Sequence, residues 1–182
     1  MGQRYDRIDE RLRGFLQAQH VFFVATAPDG PDGHVNVSPK GLRDTFAVLD
    51  DTTVAYLDLT GSGAETIAHL RQNGRITLMF CAFDGAPRIV RLYGRGRVVL
   101  RTDPQWVQLS ARFPQLPGRR SVVVVELTRI ADSCGYAVPL FDLAGERDLL
   151  PRWAQHKGEA GIAAYQAEKN ATSIDGLPVV EA

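Results

Sequence analysis

The chain has 182 residues, of which 45% are hydrophobic and 23% charged, with Lys+Arg and Asp+Glu equal at 21 each. That length supports one domain with a sizeable buried core, and the balanced charge argues against a protein held to nucleic acid by a basic field. No apolar run approaches the roughly 18–20 residues that a membrane helix needs. The opening segment, MGQRYDRIDERLRGFLQ, has no apolar signal core, and Asp6 stands where a myristoylation signal requires Ser or Thr. Cys81 and Cys134 have no C-x-x-C spacing and read as reduced thiols. These features lead us to expect a soluble, cytoplasmic protein of one domain.

In chain order, residues 4–19 read as an amphipathic helix with Ile8, Leu12, Phe15 and Leu16 at helical spacing. Residues 21–26 form a short apolar strand. The run Pro28-Asp29-Gly30-Pro31-Asp32-Gly33 is a turn. Residues 34–38 alternate, with Val35 and Val37 on one side and His34, Asn36 and Ser38 on the other, and make a hairpin with the preceding strand. A second strand pair turns across residues 49–52. Its outgoing member, with Val54, Tyr56, Leu57 and Leu59, runs into Thr60-Gly61-Ser62-Gly63 and then a helix that stops at Asn73-Gly74. A strand follows from Arg75 to Ala82, then a turn at residues 84–87 and a long strand over 88–100. Gly94 and Gly96 on the apolar side of that strand predict a bend or bulge that curls the sheet. Asp103-Pro104 starts a helix through Trp106, Leu109 and Phe113. Residues 121–130 (SVVVVELTRI) are the strongest strand, residues 136–140 read as one more, and the chain from Gly145 is helical before its final tail. Strands joined by short turns, with one internal helix and helices at both ends, predict an antiparallel barrel rather than a doubly wound α/β fold.

Three groups of residues carry candidate chemistry. The first is the turn at residues 60–66. A strand that passes through small residues into a helix leaves unpaired N–H groups and the positive end of a helix dipole aimed one way, which suits a phosphate. Ser62-Gly63-Ala64-Glu65 also fits a capping box, which explains the turn without any ligand. It is no P-loop and carries no G-x-G-x-x-G pattern. The second group is His34, Asn36, Ser38 and Lys40 on one strand face: Asn36 and Ser38 suit hydrogen bonds to a heterocycle and Lys40 an anionic group, unless the face is simply solvated. The third is Arg91, Tyr93, Arg95 and Arg97, whose like charges need anionic partners, usually carboxylates of the same protein or of a second subunit. The histidines show no metal-binding spacing, so no metal is expected. No nucleophile elbow is present.

The ordered set Val35-Asn36-Val37-Ser38-Pro39-Lys40-Gly41, then Tyr56-Leu57-Asp58, then the small-residue turn and helix ending Asn73-Gly74-Arg75, then Arg88-Ile89-Val90-Arg91-Leu92-Tyr93-Gly94, resembles the pyridoxamine 5′-phosphate oxidase-like proteins of the FMN-binding split-barrel group. The resemblance implies a mainly β, antiparallel split barrel over residues 1–144, with residues 145–182 a helical extension packed on it. It implies a homodimer with FMN at the interface. The residues it places at the cofactor are Asn36, Val37, Ser38, Lys40, Tyr56, Leu57, Gly61, Ser62, Gly63, Thr66, Arg88 and Arg91. Lys40 keeps the residue type of the oxidases' strand lysine. Gly61-Ser62-Gly63 replaces their Ser-Arg-Lys phosphate grip, and Ile89 replaces a flavin-contacting Gln, which argues against vitamin B6 oxidase activity itself. The implied function is FMN-dependent oxidoreduction of a small molecule, in which the flavin does the hydride chemistry and no catalytic residue is specified. Alternatives within the fold are an F420-dependent reductase and a non-catalytic flavin- or haem-binding sensor.

Overall fold

In the computed structural model, which describes residues 2–179, the elements run β1 (Arg4–Tyr5), α1 (Glu10–Ala18), β2 (Phe22–Thr26), β3 (Asn36–Lys40), β4 (Phe46–Val48), β5 (Thr53–Leu59), α2 (Glu65–Asn73), β6 (Arg75–Cys81), β7 (Ile89–Leu100), α3 (Trp106–Ser110), β8 (Arg119–Ser133) and α4 (Leu149–Lys169). The strands form one antiparallel sheet in the order β3-β2-β6-β7-β8-β5-β4, with β1 also on β8. The fifteen residues of β8 organise it: one edge pairs with β7 from Ser121 to Ser133, and the other receives β5 on its first half and β1 on its second. At the Tyr93/Gly94 step the β7–β8 register shifts, as the glycines predict. A Cβ on Gly94 would collide with the Glu126 carbonyl, so only glycine admits the partner strand there.

The sheet curls around one apolar cluster, with Val24, Val48, Tyr56, Leu78, Leu92 and Val123 from its strands and Ile8, Leu12 and Leu16 from the α1 side. The alternation of β-branched and aromatic residues along each strand delivers this inner face. The outer face of β5 and β8 (Ala55, Leu57, Val122, Val124) is covered by Trp106 and Phe113, on and just after α3. α2 buries Ile67 and Ala68 against Leu177 and Val179 of the C-terminal tail. Among the described residues, no helix is long and apolar enough to cross a membrane.

Several expectations need correction. The first helix starts at Glu10, not residue 4, because Asp9 caps it by accepting from Leu12 N–H at 2.7 Å, while Arg4 and Tyr5 pair with Ala131 and Ile130. Residues 136–140 form no strand: the chain turns just after β8, with Val138 N–H donating to Gly135 O at 2.9 Å. The capping box is absent. α2 begins at Glu65 with Ala64 as N-cap and no side-chain cap. Its C-terminal stop is as expected, with Gly74 left-handed at φ 68°. In β7, the arginines find neutral acceptors rather than carboxylates: Arg95 Nη1 donates to Asn73 O at the negative end of α2, and Arg97 Nη1 to Gln105 Oε1. α4 is bent at Gly158, whose φ of 64° and ψ of 174° are non-helical.

Candidate functional site

β5 carries a charged residue, Asp58, inside an otherwise apolar strand, and it is only 2% exposed. A carboxylate so buried must be paired. Lys40 Nζ of β3 donates to Asp58 Oδ1 at 3.0 Å, and Arg120 Nε and Ser121 Oγ of β8 donate to Oδ2 at 2.8 and 3.2 Å. Burial works against its charge, but the two cations outweigh burial and hold the carboxyl well below the usual carboxylate range. Three strands that are not sequence neighbours thus meet at one anion. The result is to fix Lys40 and Arg120 on two walls of a single cavity of about 330 Å³, whose floor is the 61–66 turn.

The turn itself is held by its carbonyls. Asn170, just beyond α4, donates from Nδ2 to Gly61 O at 3.0 Å and Ser62 O at 3.4 Å. Arg120 Nη1 donates to Gly63 O at 3.0 Å and to Asn170 Oδ1 at 2.9 Å. The N–H groups from Gly61 to Thr66 have no acceptor among the described residues. Ser62 is exposed, and the space where a Cβ on Gly61 would stand is open. Free N–H groups, an α2 N-terminus and two flanking cations are the chemistry of a phosphate cradle. One group opposes it: a Cβ on Gly63 would meet the Glu65 carboxylate, which folds back over the turn.

Behind the cradle lies a polar spine. Ser38 Oγ donates to Asn36 Oδ1 at 2.9 Å, and Asn36 Nδ2 to Thr66 Oγ1 at 3.1 Å and Thr26 Oγ1 at 3.2 Å. Thr26 Oγ1 lies 3.0 Å from Nδ1 of the fully buried His69, whose pKa burial lowers, so the ring is neutral. This spine explains why β3 turns its polar face inward and leaves Val35 and Val37 70% and 61% exposed. Tyr56 is fully buried beneath Lys40, whose Nζ is 5.8 Å from the ring centroid. Burial pushes its hydroxyl pKa well above the usual value, so it too is neutral.

Of the residues expected at the cofactor, Ser38, Lys40, Gly61, Ser62, Gly63 and Thr66 line this cavity. Asn36 supports it through Thr66. Val37 faces outward, and Leu57 joins the α3-side cluster while also lining an adjoining, mostly apolar cavity of about 600 Å³. Arg88 and Arg91 are not among the lining residues. Arg88 is bound to Asp132 and Tyr5, and Arg91 Nη1 donates to Ser133 Oγ. Asp58, Arg120 and Asn170 were not singled out from the sequence. For Asp58 a signal existed: a lone carboxylate in an apolar strand must find a cation.

An antiparallel barrel opened along one side, with a cavity flanked by two cations where a strand turns into a helix, is the class that fold and site define. Comparison with known proteins gives the family. The family profile described as Pyridoxamine 5′-phosphate oxidase matches residues 8–134, and the chain belongs to that family. It is 42% identical over 190 aligned positions to the pyridoxamine 5′-phosphate oxidase family protein ustO of Aspergillus flavus, covering 96% of this chain and 76% of that one. Two crystal structures of HupZ from Group A Streptococcus superpose with TM-scores of 0.55 and 0.53 at 19% and 20% identity. They cover 69% and 68% of this chain and 99% and 91% of theirs, and share its fold.

Proposed function

We propose that the protein is a flavin-dependent oxidoreductase related to pyridoxamine 5′-phosphate oxidase, which binds FMN by its phosphate at the 60–66 turn and acts on a small molecule. The observation that carries this reading is the run of N–H groups from Gly61 to Thr66 without acceptors among the described residues, in a cavity that Lys40 and Arg120 also line. A phosphate would satisfy what the protein leaves unsatisfied. Bound there, a flavin supplies hydride transfer through its ring. The chain's own part is to hold the phosphate, keep Lys40 and Arg120 in place through Asp58, and present neutral hydrogen-bonding groups at Ser38 and Thr66. Membership of a family described as an oxidase supports the redox chemistry. We further propose a cytoplasmic homodimer: Val37 on the edge strand β3 and Val35 just ahead of it form an exposed apolar pair, the kind of surface a second copy covers.

The test is direct. The purified protein absorbs near ~450 nm or acquires that band on adding FMN, and denaturation releases a ligand with the mass of FMN. That mass separates FMN from F420 and haem, and turnover with reduced nicotinamide and an electron acceptor separates an enzyme from a sensor. Ser62→Asp sets a carboxylate against the phosphate and abolishes FMN binding. A colourless protein that ignores added FMN overturns the reading.

A further inference from the structure

We infer that the cavity at the bend of α4 is a second anion site, in which Arg119 and Arg101 hold a small oxyanion, a carboxylate or a phosphate group. This cavity shares no lining residue with the one at the 61–66 turn, and the inference does not rest on the flavin reading.

The argument begins with two arginines that are neighbours in sequence and have opposite fates. At the head of β8, Asp58 pairs with Ser121 and Leu59 with Arg119, which leaves Arg120 as the extra residue of a bulge. Arg120 is answered three times over, by Asp58, Gly63 and Asn170. The half-buried Arg119 makes no side-chain hydrogen bond and no ion pair among the described residues, and its Nη1 is shut off from solvent with no acceptor. What Arg119 does have is an aromatic face: its guanidinium carbon lies 5.6 Å from the ring centroid of Trp106, a buried residue of α3. That stacking orients the guanidinium and leaves the donors in its own plane unanswered. A cation withdrawn from water is ordinarily paired, and here the protein supplies no counter-ion.

The space around Arg119 is the second and independent sign of a ligand. It lines a cavity of about 190 Å³ together with Arg101 from the turn after β7, the loop ahead of β8, and α4 on both sides of Gly158. Gly158 brings backbone and no side chain, and the place where its Cβ would stand is open. The second cation is held only loosely. Arg101 Nη2 donates to Glu159 Oε1 at 3.3 Å, and the two side chains are 52% and 89% exposed. An exposed pair of this kind is worth little and yields to a better-placed anion. Two guanidinium groups against one carboxylate leave one positive charge in excess on this cavity. The planar fork of a guanidinium matches the paired oxygens of a carboxylate or a phosphate. Size narrows the choice further, since the volume is below the roughly 300 Å³ at which pockets begin to take drug-sized ligands.

The experiment follows the melting temperature of the full-length protein against acetate and inorganic phosphate, each balanced with chloride at constant ionic strength so that screening is held fixed. At least one of the two should give a saturable rise that chloride does not, and the tighter one separates a carboxylate site from a phosphate site. Arg119→Gln should weaken that binding at least about tenfold, the equivalent of one charge-assisted hydrogen bond. Glu159→Gln should strengthen it about threefold, because it frees Arg101 and removes a competing carboxylate. Ser62→Asp, which closes the other cavity to anions, should leave the response in place. The inference is overturned if neither anion exceeds chloride, if Arg119→Gln responds as wild type does, or if Glu159→Gln binds no more tightly. If Ser62→Asp abolishes the response, the ion sits at the 61–66 turn; the inference then falls and the flavin reading does not. If Arg119→Gln does not fold, wild type and Glu159→Gln decide, and the order of their affinities must be the one stated.

Discussion

The two ends of β8 each carry an arginine–aspartate cluster, and the two are built for different ends. At the far end, Arg88 donates from Nε and Nη2 to Asp132 Oδ2 at 3.2 and 3.1 Å and from Nη2 to Tyr5 OH at 2.8 Å, and Tyr5 OH donates back to Asp132 at 2.6 Å. Gln3 N–H completes the carboxylate, and the guanidinium lies 5.0 Å from the Phe15 ring centroid. That circle closes on itself and staples β1 and α1 to the sheet. At the near end Asp58 binds Lys40 and Arg120, more deeply buried, yet the arginine keeps one nitrogen unengaged and the lysine keeps part of its surface toward a cavity. Pairing alone therefore does not mark a functional cluster. The mark is a set of donors left over once the pairing is complete.

Substitutions at the two clusters can break or sharpen that contrast. Asp58→Ala leaves the buried Arg120 and the half-buried Lys40 without their counter-ion and should cost about 3–5 kcal/mol of stability in urea unfolding. A loss below about 1 kcal/mol would mean that the cluster is solvated like a surface pair. Acid should expose the same difference. Asp58 has a folded-state pKa below its unfolded one, so its stabilisation is full above the ordinary aspartate pKa of about 4 and is lost as pH falls below that. Asp132 is also depressed, burial working against its charge and bonds from Tyr5, Gln3 and Arg88 outweighing it. Stability measured against pH below about 4 should fall less steeply in Asp58→Asn than in wild type, and by a larger margin than in Asp132→Asn. Arg88→Ala should cost about 1–2 kcal/mol and leave FMN affinity unchanged. A fall in FMN affinity there would join the far cluster to the site. The smallest effect is expected at Glu65. Glu65→Gln removes a negative charge from the mouth of the cradle and should raise FMN affinity about threefold, as for a solvated charge pair.

How much of this was legible in the sequence follows from the range of each interaction. Hairpins, the Gly74 stop and the Gly94 bulge are local and were readable from alternation and turn residues. The capping box was misread because its Ser and Glu have the right spacing, while the competing bonds come from Asn170, 109 residues from Gly61. Alternation in residues 34–38 separated two faces but could not say which turned inward. Ordinary hydrophobicity puts the valines inside, and the Thr26–Thr66–His69 spine reverses this by offering Asn36 a buried set of partners. Arg120 sits in a basic pair, Arg119-Arg120, at the head of the most apolar strand, where nothing nearby names its partner. Asp58 was the legible half of that pair, since a charge inside VAYLDL has to be answered from elsewhere.

The bend in α4 has a consequence for aim. Gly158 holds φ 64° and ψ 174°, a combination open almost only to glycine, and no atom stands within 4 Å of where its Cβ would be. Nothing there demands a small residue for lack of room; the backbone angle alone demands it. Ahead of the bend, Ala154 packs against Gly118; beyond it, Gln166 and Asn170 reach Thr60, Gly61 and Ser62. The helix is a lever with its fulcrum at a residue that has no side chain, and the angle at that fulcrum sets where its tip lands. A tilt of a few degrees there would move Asn170 by an ångström or so at the end of a roughly 18 Å arm, at 1.5 Å of rise per residue. The geometry of the anion cradle is in that sense adjusted from a point with which it has no contact.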